Sequence, residues 1–240
     1  AEKKLAAEKK ASTPNPVFLT QYYMVLAMAY QRQAAIDRNK EMNAKALKYL
    51  QEATRIVENK DHDAPDEAKA GLYGVLAHFH RVNGDFNKAL EVYQKSFELA
   101  KTSGDKSGMA WNYEGQAQLH LSREDHDKAL NLAQKAHSLY VEAGRGESEA
   151  AARCLSGLVK IHTARLEHAK ALEVAEKSLA IRIKIHGKDH SDLAQGHADM
   201  MNMYEKIGKY DKALEHVQKA MDIDLKLQGP NHIGIGYAWN

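Results

Sequence analysis

Histidine is the side chain with the most latent chemistry in this sequence: thirteen occur in 240 residues. A neutral imidazole ligates metals and works as a general acid or base near neutral pH. His80, His120 and His162 each stand nine residues upstream of the central alanine of the same Lys-Ala-Leu triplet in three successive segments. Any fold that stacks those segments aligns them. Zinc needs its ligands ~2.1 Å from one point, whereas equivalent residues on neighbouring packed helices lie ~10 Å apart. We therefore expect these histidines to pack where an aromatic ring would otherwise sit, and no metal. His186 and His190 are four apart, but Gly187 interrupts the helix that a shared site would need. No His-Glu pair of the zinc-protease kind accompanies them. His62, between Asp61 and Asp63, reads as a solvated loop.

Other chemistries are thinner still. The one cysteine, Cys154, sits among Ala151, Ala152 and Leu155. That is the setting of a small core residue, not of an exposed thiolate in an electropositive site. One cysteine also excludes an internal disulfide, and a reducing cytoplasmic location is expected. Cytoskeletal association is left open. The chain contains no Gly-x-x-x-x-Gly-Lys phosphate loop and no nucleophile elbow. Gly234-Ile235-Gly236 lacks the preceding strand and third glycine of a dinucleotide fingerprint. The carboxylates lie mostly on polar faces near lysines at helical spacing. We expect no catalytic residues, no cofactor and no enzyme.

Thirty-four basic against thirty-two acidic residues leave a net charge of +2, so no global field recruits nucleic acid. No apolar run approaches the ~20 residues that span a bilayer, and Ala1-Glu2-Lys3-Lys4 is no signal peptide. The chain opens without Met and stops at Trp239-Asn240 in mid-pattern. We expect a piece of a longer protein.

The elements that must position these side chains are set by a repeat. Lys-Ala-Leu recurs at Lys45-Ala46-Leu47, Lys88-Ala89-Leu90, Lys128-Ala129-Leu130, Lys170-Ala171-Leu172 and Lys212-Ala213-Leu214, with spacings of 43, 40, 42 and 42. Seven residues after each alanine comes Ala53, Ser96, Ala136, Ser178 or Ala220. Spacings of four and seven share one helical face, and small residues there let another helix approach closely. Upstream stripes such as Tyr73, Ala77, His80 and Tyr113, Ala117, His120 mark a first helix for each copy. Asn83-Gly84-Asp85, Arg123-Glu124-Asp125 and Ile207-Gly208-Lys209 read as the turns between the two. No segment alternates as a strand does.

Five hairpins result, over about 17–60, 64–103, 105–144, 147–187 and 189–229, with a sixth beginning at 230–240. In the first, Tyr30 precedes Ala46 by 16 residues instead of 9. This predicts an extended first helix, or a longer loop around Arg38-Asn39-Lys40. Residues 1–16 form a helical or flexible appendage: Ala-, Glu- and Lys-rich through Ala11, then broken by Pro14 and Pro16. It reads as a solvated tail or a basic contact helix.

This pattern resembles the tetratricopeptide repeat family over about residues 17–240. Ile181-Arg182-Ile183-Lys184-Ile185-His186-Gly187-Lys188-Asp189-His190, with Gly208-Lys209-Tyr210 and Gly229-Pro230-Asn231-His232, resembles kinesin light chain repeats. Leu99-Ala100-Lys101 and Gly104-Asp105-Lys106-Ser107-Gly108-Met109-Ala110 look like the Leu-Gly-Asn scaffolds of cell polarity. The resemblance implies an all-α fold, a right-handed solenoid of stacked helix-turn-helix hairpins, and a non-catalytic scaffold or adaptor that binds a partner protein or peptide in a groove. The asparagine that kinesin light chain repeats carry in mid-helix is replaced by Gly74, Glu114, Ser156 and Ala198. Only Asn240 keeps it.

One hairpin cannot bury its apolar face alone, so stacked neighbours hold the fold and their first helices line a groove. Residues off the core stripe should face it: His78, Arg81, Trp111, Glu114, Gln118, Arg153, Ser156, Lys160, Gln195, Asn202, Glu205 and Lys206. Trp111 is either a binding anchor or a contact with the preceding hairpin. Arg81, Arg153 and Lys160 give a basic accent, which suits a ligand with acidic residues. The alternative reading is a structural part of a cytoskeletal, ciliary or motor assembly that uses its outer face and ends. An uncovered last repeat predicts self-association.

Overall fold

The computed structural model describes residues 2–10, 15–37, 39–59, 64–188 and 190–228. Eleven helices and no strand occur among them: α1 (Glu2–Lys9), α2 (Pro16–Asp37), α3 (Lys40–Val57), α4 (Asp66–Val82), α5 (Phe86–Thr102), α6 (Lys106–Ser122), α7 (His126–Glu142), α8 (Glu149–Ala164), α9 (His168–His186), α10 (Ser191–Lys206) and α11 (Tyr210–Gln228). From α2 onward they alternate as first and second helices of hairpins, an all-α solenoid arrangement. The register of a sixth repeat over 229–240, the Asp61-His62-Asp63 loop and the side chain of Gln195 lie outside the described residues.

The chain divides into two compact units, 1–119 and 120–240. In the first, Tyr23, Leu26, Leu50, Val57, Leu72, Val75 and Phe79 form one core across α2, α3 and α4. In the second, Val159, Leu179, Leu193, Met200, Met203, Tyr204 and Ile223 do so across α8 to α11. Each such side chain contributes roughly 1.5–3 kcal/mol when fully buried. Most of a helix's stability in a protein comes from packing of its apolar face, so these contacts hold the helices in place.

The triplet alanine is what lets two helices of a hairpin touch. Ala46, Ala89, Ala129 and Ala171 have no exposed surface. Hydroxyls reinforce the same approach. Ser96 Oγ donates to Ala70 O at 2.7 Å and Ser178 Oγ to Ala152 O at 2.9 Å, each reaching back from a second helix to its first. Cys154 is buried, with Sγ 3.6 Å from Ala133 O.

Helix starts follow from side-chain acceptors for the orphan N–H groups of the first turn. Asn39 Oδ1 accepts from Glu41 N at 2.9 Å, Asp105 Oδ1 from Gly108 N at 2.9 Å and Ser148 Oγ from Ala151 N at 3.3 Å. At the turns inside hairpins, Gly84, Glu124, Leu166 and Gly208 take the left-handed conformation, with φ of 83, 62, 61 and 75°. Two of these four positions carry no glycine.

The first hairpin has the extended first helix: α2 runs for 22 residues. The segment before it does not stand off in solvent. Leu5 of α1 enters the core of the first unit, Tyr30 Oη donates to Glu2 Oε1 at 2.7 Å, and Lys9 Nζ lies 5.2 Å from the centre of the Tyr23 ring.

Candidate functional site

The aligned histidines each serve their own hairpin. His80 Nδ1 lies 3.2 Å from Asp85 Oδ2, His120 Nδ1 3.3 Å from Asp125 Oδ2, and His162 Nδ1 2.7 Å from Glu167 Oε2. The same residue pairs are joined through the backbone, because Asp85 N, Asp125 N and Glu167 N donate to the carbonyls of His80, His120 and His162 at 2.9, 3.0 and 2.9 Å. That is the closing bond of a Schellman turn. The imidazoles of His80 and His162 therefore pin the residue that follows the left-handed position, whereas His120 Nδ1 lies near Asp125 without a hydrogen bond. In the last hairpin the pair becomes Tyr204 and Lys209, which keeps only the backbone bond, at 2.9 Å. Glu167, held first by His162 and then by Lys170 and Arg165, has its pKa lowered to about 2. Among the described residues no group of His, Cys, Asp and Glu could hold a metal ion. His186 stacks on His190 at 4.2 Å, and its Nε2 sits 3.0 Å from Glu149 Oε2.

The residues expected to face a groove divide by unit. In the first unit they turn toward one another and toward the core. Arg81 Nη2 reaches His78 Nδ1 at 3.3 Å. Glu114 is buried and lies near the buried Tyr93. Trp111 packs on the preceding hairpin, over Gly74, whose missing side chain makes room for the indole: a Cβ there would come 2.8 Å from Cε3 of the ring. Of the two roles foreseen for Trp111, the observed contact is the packing one. Gln118 is half-buried on the same helix.

The second unit presents its residues outward. Arg153 and Lys160 on α8, and Asn202, Glu205 and Lys206 on α10, are all exposed. Ser156 is the exception, its hydroxyl being 3.2 Å from Ser178 Oγ and 3.2 Å from Ala152 O on the side of α9. Lys160, Asn202 and Lys206 line a cleft of about 360 Å³ between α8 and α10. Val159, Ala164 and Met203 are its apolar lining, and Asp199 and Thr163 line it as well. Thr163 Oγ1 donates to Val159 O at 2.8 Å and lies 3.4 Å from Met203 Sδ, which ties the two helices across the cleft. Two ammonium groups and one amide with an apolar lining, and one carboxylate among them, suit a carboxylate-bearing segment. Sequence reasoning passed over Thr163 and Asp199. Both lie three residues from a groove position, Thr163 after Lys160 and Asp199 before Asn202, so the helical spacing that found the lysines reaches them too.

Among curated proteins, none matches this chain. The sequence profile of the family described as Tetratricopeptide repeat matches residues 69–142 and 148–226, together more than half of the chain. Solved structures share the fold. BtubC (BKLC) from P. vanneervenii superposes with a TM-score of 0.71 at 19% identity, over 96% of this chain and 93% of that one. The nearly identical TPR-like repeats of a candidate kinesin light chain from Podosopora anserina give 0.63 at 16% identity, over 91% and 100%. The STAND ATPase PH0952 from Pyrococcus horikoshii, which carries a tetratricopeptide repeat sensor, gives 0.67 at 20% identity, over 91% of this chain and 33% of that one. At these identities the likeness shows the fold alone. Repeats of this kind are in general non-catalytic scaffolds for protein–protein interaction. With its profile match, its alternating helices and its recurring Lys-Ala-Leu, the chain belongs to the tetratricopeptide repeat family.

Proposed function

We propose that this chain is a non-catalytic adaptor that captures an acidic segment of a partner protein between α8 and α10. The observation that carries the reading is a cleft lined by Lys160, Asn202 and Lys206 together with Val159, Ala164 and Met203. Ammonium groups give charge-assisted hydrogen bonds to a carboxylate, and the apolar lining takes the aliphatic part of the same ligand. The cleft sits on two rigid helices tied by Thr163, so little ordering cost falls on the receptor when it binds. Arg153 and Glu205 flank it and would bias which neighbouring ligand residues fit. A lone buried thiol, Cys154, accords with a reducing cytoplasmic setting.

The test is fluorescence anisotropy of acidic peptides chosen from an array, against the wild-type chain and Lys160→Glu/Lys206→Glu. We expect at least about tenfold weaker binding by the variant, from loss of two charge-assisted contacts, together with steep salt dependence in the wild type. Helix content should be unchanged, because both lysines are exposed. Equal binding by both proteins, or no binding of any acidic peptide, would overturn the reading and move the search to the outer face and ends of the molecule.

A further inference from the structure

A second cavity of the same unit has its own chemistry. It measures about 390 Å³, lies among α9, α10 and α11, and shares no lining residue with the Lys160–Lys206 cleft. Ile183, Leu193 and Ile223 form an apolar floor, and Leu193 and Ile223 are buried core residues. Lys188, Lys219 and Lys226 stand around it, all exposed. Among the described residues the acid in the lining is Asp222, which accepts a hydrogen bond from Gln218 Nε2 at 2.8 Å on its own helix. Among the described residues, then, the lining carries Lys188, Lys219 and Lys226, and its carboxylate, Asp222, is already engaged by its own helix. The remaining polar group is His197, a buried imidazole whose Nδ1 lies 3.0 Å from Nδ1 of His216.

Volume and composition together define what fits. Ligand pockets of this size are mainly apolar, with a few polar groups that fix orientation. An alkyl body would cover the Ile183–Leu193–Ile223 floor, and a negative head would sit among lysines. A neutral apolar group would leave the lysine field unused, and a cation would be repelled by it. We infer that this cavity is a binding site for an apolar group that ends in a carboxylate. Two sources carry that chemistry: a free alkyl acid, and the C-terminal residue of a peptide with a large aliphatic side chain.

His197 supplies an internal reporter. Burial, then His216 and Lys219, bring its pKa down to about 4. His216, also lowered by burial, feels Lys219 and Lys212 as cations and Glu215 and Glu176 as acids. An anion seated in the cavity adds a negative charge beside His197 and favours its protonated form. By linkage, binding tightens as pH falls through the same range.

The experiment uses the whole chain with labelled Ile and Leu methyl groups, titrated with decanoate below its micellar concentration and with acetyl-Gly-Gly-Leu. The amide of each compound is the neutral control. The expected result has three parts. Saturable shifts appear at Ile183, Leu193 and Ile223. They weaken about tenfold or more for the amides and for Lys188→Glu/Lys219→Glu, as loss of a charge-assisted contact requires. The His197 ring titrates at higher pH when the acid is bound. Whichever acid binds more tightly identifies the source. Absence of saturable shifts with both acids, equal binding of acid and amide, or indifference to the lysine reversal overturns the inference. If that variant loses helix content, Lys188→Gln/Lys219→Gln replaces it, with the same outcomes. Binding of the acidic peptide at Lys160 and Lys206 should survive these changes, so failure here and failure of the adaptor reading are separable.

Discussion

Two glycines in first helices should respond to the same substitution with opposite sign. Gly74 of α4 lies under Trp111: a Cβ built there meets Cζ3 of the indole in a hard clash, Cε3 at 2.8 Å and Ser96 Oγ at 3.3 Å. Gly157 of α8 has nothing within 4 Å of the equivalent atom. Replacing an interior helical glycine by alanine gains about 0.5–1 kcal/mol from backbone entropy and helix propensity. At Gly157 nothing opposes that gain. At Gly74 the indole must move, and overpacking costs about 1–3 kcal/mol. The Ser96 hydroxyl is also pressed away from the Ala70 carbonyl it holds at 2.7 Å, a bond worth ~1 kcal/mol net. The clash wins, and Gly74→Ala should lose about 2 kcal/mol.

For a chain of this length, 1 kcal/mol moves Tm by about 2–4 °C. Gly74→Ala should therefore melt ~4–8 °C lower and Gly157→Ala ~1–4 °C higher. Thermal and urea unfolding followed by circular dichroism give the global values. Because repeat arrays lose cooperativity, hydrogen exchange should place the loss in α4 to α6 for the first variant. The two tryptophans are Trp111 and Trp239, so in a Trp239→Phe background the emission reports Trp111 alone and should shift for Gly74→Ala only. If both variants are stabilised, Trp111 does not occupy the space over Gly74 and the packing role given to it here is refuted.

Leu166→Gly and Glu124→Gly should each stabilise by about 0.5–1 kcal/mol in urea unfolding. Both residues hold a left-handed φ that costs an L side chain ~1–2 kcal/mol, and Leu166 is 77% exposed, so little burial is lost. Glu167 is depressed in the folded state, from 4.5 to about 2, with His162 the main cause. Its stabilising effect is thus full above pH 4.5 and lost as pH falls toward 2, and Glu167→Gln should flatten that part of the stability profile. His197 is depressed too, from 6.5 to about 4. The unfolded chain binds the extra proton first, so stability falls as pH drops from 6.5 to 4. Exchange in α10 and α11 should rise over that window in the wild type and rise less in His197→Phe.

The hairpins were legible because their signal is periodic and compositional. A buried alanine at 46, 89, 129 and 171 tolerates nothing larger, and the surrounding Lys-Ala-Leu repeats often enough to set the phase. The exposed faces were legible only in part. A first helix packs on its own second helix and also on the preceding hairpin, so two stripes are buried where an amphipathic reading looks for one. Trp111 and Glu114 fall on the second buried stripe, and a polar Glu gives no hint of it. Lys160, Asn202 and Lys206 fall outside both stripes, and there polarity and exposure agree. The turns mislead for another reason. Gly84 and Gly208 announce a left-handed residue, whereas Glu124 and Leu166 adopt the same φ under the six-to-one backbone bond, reinforced at Leu166 by the His162–Glu167 hydrogen bond.

That second buried stripe and the histidine pairs bear on one asymmetry in the array. At His80, His120 and His162, an imidazole lies near a carboxylate five residues on. In the last hairpin Tyr204 and Lys209 replace the pair, and the histidines move to 197 and 216, where they face each other, with Lys219 beside them. A proton added there sits against a ring nitrogen and a cation. Mild acid therefore acts against α10 and α11. Those are the helices that line the cavity between Ile183 and Lys226, and α10 also supplies Asn202 and Lys206 to the cleft. Two consequences oppose each other in that hairpin: protonation of His197 strains its packing, while an anion in the cavity relieves the strain by pairing with the new charge. A carboxylate ligand should accordingly protect α10 and α11 from exchange more at pH 5 than at pH 7. Protection that is equal at both values would mean that the cavity and the histidine pair are energetically separate.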